Sequence, residues 1–137
     1  KPTKPPKYVR KGILRALLIG IRYFNTPNEL AGCHQDIDDV TEYITKKHPR
    51  CCIATLRDKA DDPLYQRSDC PTGANITAGM VALINSAKPG DTLLVYYSGH
   101  GSYQKDALTD EPDHIDESIC PVDCQTAGMI VDDKLQN

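Results

Sequence analysis

Three short apolar runs alternate with two amphipathic segments, and this order constrains the fold more than any other feature of the sequence. The runs are 15–21, 52–56 and 92–97. Each is too short for an ordinary helix and is bounded by polar residues, glycine or proline, as buried strands are. The order strand, helix, strand, helix, strand predicts right-handed crossovers and a mainly parallel sheet. We therefore expect a three-layer α/β domain with helices on both faces of the sheet.

The two segments between these runs have helical periodicity. The first helix is predicted over 36–47, with apolar residues at spacings of three and four: Ile37, Val40 and Ile44. The second is predicted over 74–87 after the capping residue Thr72, and one face would hold Ile76, Met80, Leu83 and Ile84.

Outside these strands and helices the pattern of apolar residues is less regular. The polar stretch 58–70 is predicted to be a loop, and 118–123 a short strand that Pro121 confines to an edge. Asp132 and Asp133 are placed to open a further helix.

Length and composition fit one folded domain. The chain has 137 residues, is 39% hydrophobic and 26% charged, and has a formal net charge of −3, so a general nucleic-acid binder is not expected. No apolar run approaches the length of about 20 residues that a membrane helix needs. The Lys- and Pro-rich start lacks the apolar run of a secretory signal. We expect a basic arm over 1–14, a domain over 15–137 and a cytoplasmic location.

The cysteines do not follow a regular framework. Six are present, at Cys33, Cys51, Cys52, Cys70, Cys120 and Cys124. Their irregular spacing argues against a disulfide scaffold and favours free thiols in a reducing compartment. Cys120 and Cys124 have the separation of half a zinc site, but no second pair matches them.

The motif Ser98-Gly-His-Gly101 directly follows the third predicted strand. In parallel sheets functional groups gather at the carboxyl ends of strands. Histidine suits proton transfer near neutral pH, and the Gly101 amide is a candidate oxyanion donor. The flanking glycines allow a sharp turn and close substrate approach. The alternative is a histidine in a tight turn without chemistry.

A histidine base needs a group to activate, and spacing alone selects none. Cys33 precedes the first helix, where a thiolate is stabilised, so it is a candidate nucleophile, although a buried structural thiol is the more common case. Ser98 is a second candidate, but no Gly-x-Ser-x-Gly elbow is present.

Carboxylates are concentrated late in the chain. Between Asp106 and Asp133 there are nine Asp or Glu residues and no Lys or Arg, and among them are Asp116, Glu117, Asp123 and Asp132. Such a set either binds a cation such as calcium or forms a solvated acidic loop. Asp36, in the first turn of the first helix, either favours the helix dipole or pairs with a basic substrate.

From about Arg15 onward the sequence resembles the metacaspases, caspase-like cysteine peptidases, and most closely those of type I from fungi and plants. Three segments carry the resemblance: 15–24 with 29–36, 88–101, and 116–123 with 128–133. The family cleaves polypeptides after Arg or Lys through a Cys–His dyad and is activated by calcium.

The resemblance assigns roles to individual positions. It implies a catalytic His100 with the Gly101 oxyanion amide, a substrate pocket formed by Asp36 and Ser98, a secondary cysteine at Cys33, and calcium ligands at Asp116, Asp132 and Asp133.

The sequence also departs from the family pattern. Arg22 stands where the family usually has Asn, and 113–117 differs from the usual Asp-Gly-Tyr-Asp-Glu. The nucleophile motif, Asp-Cys-His-Ser-Gly or a close variant, does not occur before Asn137. The resemblance therefore implies a large-subunit domain truncated before the nucleophile strand. The partners would be Arg- or Lys-containing substrates and the rest of its own catalytic domain, or a second copy through an open sheet edge. The alternative function is an inactive calcium-binding or protein-interaction module.

Overall fold

The main sheet is built around β1 (Leu14–Gly20), the most apolar of the three predicted strands. It pairs in parallel with β2 (Cys52–Arg57) on one side and with β3 (Thr92–Ser98) on the other. The computed structural model describes residues 11–105, 115–128 and 130–131. All three strands begin and end within one residue of the predicted limits, and the parallel order is confirmed.

Two helices cover the two faces of this sheet: α1 (Cys33–Lys47) and α2 (Gly73–Ser86). Successive side chains of a strand point to opposite faces. On one face, Ala16 and Leu18 of β1 pack with α1 through Ile37 and Ile44. On the other, the packed residues include Leu17, Ile19 and Ile76. The predicted three-layer arrangement is therefore confirmed.

Helix α2 begins after Thr72, as predicted, but its buried apolar face is narrower than the predicted one. The Thr72 hydroxyl accepts a hydrogen bond from the Asn75 amide at 3.1 Å, which caps the helix. Met80 and Leu83 pack against the core, whereas Ile84 is 62% exposed. The inclusion of Ile84 in the buried face was wrong because it lies outside the stripe formed by residues 76, 80 and 83.

A second, antiparallel sheet follows β3. It contains β4 (Gly101–Lys105), β5 (Ile115–Ile119) and β6 (Ile130–Val131), in the order β4-β5-β6, with α3 (Cys124–Ala127) before β6. The strand predicted over 118–123 thus lies earlier in the chain. Pro121 has no amide proton for a strand ladder, and the chain turns there instead. The helix predicted at Asp132 lies outside the described residues.

None of the helices in the described ranges is both long and apolar enough to cross a membrane. The polar stretch 58–70 forms turns and loop, as predicted.

The carboxylate of Asp91, just before β3, binds to groups at the beginning of β1. Its side chain has no exposed surface, and it accepts hydrogen bonds from the amides of Ile13 and Lys88, both at 2.9 Å. The Arg15 guanidinium lies 2.8 Å from the same carboxylate. Loss of this buried carboxylate removes three hydrogen bonds at once.

We expect Asp91→Ala to lower the free energy of unfolding by about 2 kcal/mol, because it removes three hydrogen bonds to a buried carboxylate, one of them from a charged guanidinium. Urea unfolding followed by circular dichroism measures this change. Asp61→Ala, at an exposed position, is the matched control and should change stability by less than about 0.5 kcal/mol. Equal effects of the two substitutions would contradict the role of Asp91.

Candidate active site

Polar side chains gather where the three parallel strands end. Tyr23 follows β1, Asp58 follows β2, and Ser98 and His100 lie at and just after the end of β3. The carboxyl ends of parallel strands share one edge of the sheet, which is where α/β proteins place their sites. This edge therefore holds the predicted histidine together with residues that the motif did not predict.

Two tyrosine hydroxyls connect the histidine loop to the second sheet. The Tyr23 hydroxyl accepts from the His100 amide at 2.8 Å and donates to the Cys120 carbonyl at 2.6 Å. The Tyr97 hydroxyl lies 3.0 Å from that of Tyr23 and donates to the His100 carbonyl at 2.5 Å. We call these two hydroxyls, with the backbone of His100 and Cys120, the tyrosine junction.

The hydroxyls of the tyrosine junction keep their protons over a wide pH range. Burial raises the pKa of Tyr23 and of Tyr97 above the ordinary value of 10.0. A pKa that folding raises contributes stability below the unfolded value, and that stability is lost as the pH rises through the folded value. The junction is therefore intact throughout the range in which an imidazole exchanges protons.

Asp58 holds the backbone from which Tyr23 extends. It is 2% exposed and accepts from the amides of Arg22 and Tyr23, at 2.9 and 2.8 Å. His34 Nε2 lies 2.8 Å from the same carboxylate. These bonds hold Tyr23 at φ 55°, a region that non-glycine residues rarely occupy.

The imidazole of His100 is oriented by a backbone carbonyl. Its Nε2 lies 2.6 Å from the Asn28 oxygen, and its ring lies 4.7 Å, centroid to centroid, from the ring of Tyr23. A carbonyl only accepts, so we assign the proton of the neutral ring to Nε2. Nδ1 then carries the lone pair that accepts a proton.

The glycines beside His100 are required for space rather than for a sharp turn. Neither Gly99 nor Gly101 has a positive φ. A Cβ on Gly99 would lie 2.6 Å from the Tyr97 hydroxyl and 2.9 Å from that of Tyr23. Gly99 thus makes room for the tyrosine junction, which differs from the predicted reason for a glycine there.

The structure brings Asp36 and Ser98 together. The Ser98 hydroxyl donates to Asp36 Oδ2 at 2.7 Å. Gly20 permits this approach, since a Cβ there would lie 2.5 Å from the Ile37 side chain. The hydroxyl of Ser98 is therefore bonded to a carboxylate, which does not support the alternative of a serine activated by His100.

The remaining predicted site residues have different surroundings. Cys33 is buried, with 7% exposure, in the first turn of α1. Asp116 lies in β5 opposite Gln104, whereas Asp132 and Asp133 lie outside the described residues. Asp123 accepts from the Gly73 amide at 2.9 Å, so this acid is engaged at the start of α2. Within the described ranges no group of three or more His, Cys, Asp or Glu residues is arranged to hold a metal ion.

The expectation that all six cysteines are free thiols was wrong for one pair. Cys120 and Cys124 form a disulfide with their Cα atoms 5.5 Å apart. The turn at Pro121 brings them together, because the Cys124 amide donates to the Pro121 carbonyl at 3.0 Å. Their spacing therefore reflects this turn rather than half a zinc site. The free cysteines are Cys33, Cys51, Cys52 and Cys70.

A pocket of about 390 Å³ opens beside His100. Its lining includes Tyr23, His100 and Gly101, together with Cys120 and the segment 122–126. The candidate base and the disulfide thus face the same cavity.

Sequence reasoning missed Tyr23, Tyr97, Asp58 and the Asn28 carbonyl. The first three were open to prediction, because each lies at or just after the carboxyl end of a predicted strand. The Asn28 contribution is made by the backbone and has no residue-type signal.

Comparison with known proteins agrees with this architecture. The family model described as "Metacaspase, peptidase C14 domain" matches residues 14–137. Metacaspase-2 of Arabidopsis thaliana is 41% identical over 133 residues, which is 96% of this chain and 30% of that protein. Metacaspase-1A of Aspergillus oryzae is 43% identical over 126 residues, covering 90% of this chain and 29% of that protein.

The fold is also similar to that of solved structures. The crystal structure of protein GSU0716 from Geobacter sulfurreducens aligns with a TM-score of 0.63 and 26% identity, over 92% of this chain and 43% of that one. The caspase-like α/β fold and the family match define a domain of the cysteine peptidase class. The chain belongs to the metacaspase family, peptidase C14. It spans about 30% of the length of these curated relatives.

We expect Gly99→Ala to displace the tyrosine hydroxyls and move the His100 ring, because the added methyl group overlaps both oxygens. Histidine ring signals in two-dimensional NMR spectra report this movement. Gly32→Ala is the matched control, since a Cβ there meets nothing within 4 Å, and it should leave the signals unchanged. A Gly99→Ala spectrum identical to that of the unsubstituted protein would contradict the packing argument.

Proposed function

We propose that this chain provides the general base and the substrate pocket of a calcium-dependent cysteine endopeptidase that cleaves after Arg or Lys. The nucleophilic cysteine lies outside this chain. The observation that carries the proposal is the oriented imidazole of His100, located at the same sheet edge as the Asp36–Ser98 pair.

In the proposed mechanism, Nδ1 of His100 takes the proton of the cysteine thiol, and the thiolate attacks the substrate carbonyl carbon. The imidazolium that forms is stabilised by its Nε2–H bond to the Asn28 carbonyl, at 2.6 Å. The Gly101 amide donates to the developing oxyanion. The same histidine then gives its proton to the leaving amine.

Asp36 is the proposed determinant of specificity for basic side chains. Its residue is exposed, and the Ser98 hydroxyl bonds to Oδ2 only. The other carboxylate oxygen is then available to a guanidinium or ammonium group, which carboxylates bind strongly. Ser98 orients the carboxylate in this proposal rather than taking part in the chemistry.

Calcium is proposed as an activator on the basis of ligand chemistry. Asp116, Asp132 and Asp133 supply carboxylate oxygens, the ligands that this cation prefers. Bound calcium would compensate the charge of an acid-rich segment that has no Lys or Arg between residues 106 and 133. The proposed chemical steps use only His100, Gly101 and Asp36.

One observation favours a second function, that of a calcium-binding or protein-interaction module. In the described part of the chain no hydrogen bond joins a cysteine thiol to the His100 ring, whose Nε2 lies against the Asn28 carbonyl. Cys33 is buried, Cys120 is disulfide-bonded, and burial raises the pKa of Cys70 to about 12. Within the same ranges β3 pairs only with β1, and Leu93 and Val95 of β3 are exposed. This strand edge would receive the rest of the catalytic domain, or a second copy.

In the full-length protein that contains this chain, we expect His100→Ala to reduce kcat/KM for Arg peptides at least about 100-fold, because it removes the base. We expect Asp36→Asn to reduce it roughly tenfold or more, because it removes a charged hydrogen-bond acceptor. Cleavage of fluorogenic peptides with Arg or Lys before the bond, with and without calcium, measures both.

Asp39→Asn is the matched control, since Asp39 is an exposed acid on the same helix, and it should leave cleavage unchanged. A thiol-reactive peptide ending in Arg should label the unsubstituted protein. Absence of both labelling and cleavage would contradict the peptidase and favour the binding module. Equal losses in Asp36→Asn and Asp39→Asn would contradict the proposed pocket.

A further inference from the structure

The disulfide-closed loop from Cys120 to Cys124 forms part of the pocket beside His100. We propose that these two cysteines are a reversible redox modification site whose state sets the shape of that pocket. The exchange partner is a low-molecular-weight thiol–disulfide couple of the glutathione class. The modification itself needs no peptidase activity, so it is tested independently of the proposed function.

Both cysteines are accessible, unlike the buried thiols. Cys120 and Cys124 are partly exposed and line the pocket. Cys33 is 7% exposed and Cys70 is 1% exposed. A soluble disulfide can therefore reach the pair from the pocket, whereas the core thiols are shielded.

The backbone separation of the pair allows a disulfide to close. The Cα atoms lie 5.5 Å apart, which is within the usual range for a disulfide. The Cys124 amide bonds to the Pro121 carbonyl, so hydrogen bonds of the backbone hold the turn independently of the sulfur atoms. Once one thiol has reacted, the second is already near the sulfur that it must attack.

Backbone bonds on either side of the pair fix most of the loop. The Cys120 amide donates to the His100 carbonyl at 3.0 Å, and its carbonyl accepts from Tyr23 at 2.6 Å. In the middle of the loop, the Val122 amide donates to the Pro71 carbonyl at 3.0 Å. These contacts do not involve sulfur and remain when the disulfide opens.

The disulfide joins the short helix α3 directly to Cys120, in addition to the bond between the Cys124 amide and the Pro121 carbonyl. Cys124, Gln125 and Thr126 of this helix form one wall of the pocket. Opening the disulfide releases this wall from Cys120, which belongs to the tyrosine junction. The consequence is a change of pocket shape next to His100, without loss of the sheet.

The disulfide forms through two successive thiol–disulfide exchange reactions. One thiolate attacks a sulfur of oxidised glutathione, forming a mixed disulfide and releasing one glutathione thiolate. The other cysteine thiolate then displaces the second glutathione and closes the bond between Cys120 and Cys124. Two protein thiols are oxidised, and one glutathione disulfide is reduced to two thiols. In a reducing compartment, protein disulfides are usually transient or redox-sensing, which fits a reversible bond.

The first test equilibrates the protein in glutathione buffers of graded ratio, quenches it with acid, and alkylates free thiols with N-ethylmaleimide. Peptide mass mapping should show Cys120 and Cys124 losing and gaining alkylation together over one range of ratios. In Cys124→Ser, Cys120 should carry only a glutathione adduct. Cys51→Ser, at the opposite edge of the sheet, should not shift the transition. A pair that stays alkylated in the most oxidising buffer, or never opens in the most reducing one, would overturn the proposal.

The second test follows the His100 ring signals by NMR in the oxidised and the reduced protein. The signals should shift between the two states, and in a variant with both Cys120→Ala and Cys124→Ala, which can form neither the disulfide nor a glutathione adduct there, they should no longer depend on the buffer. If this double variant does not fold, the comparison of the two states of the unsubstituted protein still decides. Reversible oxidation without a shift of the His100 signals would contradict the coupling to the pocket, whatever the outcome of peptidase assays.

Discussion

The position of His100 depends on the tyrosine junction, in which two partly buried hydroxyls bond to backbone groups just after β3 and β5. Tyr23 bonds to the His100 amide and the Cys120 carbonyl, and Tyr97 bonds to the His100 carbonyl. The buried carboxylate of Asp58 holds the strained backbone of Tyr23. A base that must act in one orientation is thus supported by groups that stay neutral or paired near neutral pH.

Much of the fold was predictable because it rests on local patterns. The three apolar runs and the helical spacing in α1 specify the parallel sheet and its two covering layers. The antiparallel sheet was missed because β4 (Gly101–Lys105) is polar and shows no alternation of apolar residues. Its partner β5 is the next strand, but residues 106–114 separate the two, which is too long a connection for a hairpin turn motif to reveal the pairing. The burial of Ile84 was overestimated because periodicity gives the centre of an apolar stripe better than its width.

The candidate site was predictable where side chains carry a motif and not where the backbone contributes. His100, Asp36 and Ser98 were found from motif and resemblance, and the last two do lie in contact. The Asn28 carbonyl that orients the imidazole has no signature of residue type, since any residue supplies that oxygen. Cys120 and Cys124 were interpreted by spacing alone, although the turn at Pro121 determines their relation. A glycine at position 99 was correctly singled out, but the predicted reason, a sharp turn, was wrong. A side chain is excluded there because the tyrosine hydroxyls lie too close.

A backbone carbonyl and the tyrosine junction hold His100 as a base with its free lone pair on Nδ1. The most direct test is to measure the imidazole nitrogen chemical shifts of His100 by ¹⁵N NMR at a pH where the ring is neutral. The geometry predicts a protonated Nε2 and an unprotonated Nδ1, with the Nε2 proton protected by its bond to the Asn28 carbonyl. A neutral ring protonated on Nδ1 would contradict this role of the Asn28 carbonyl.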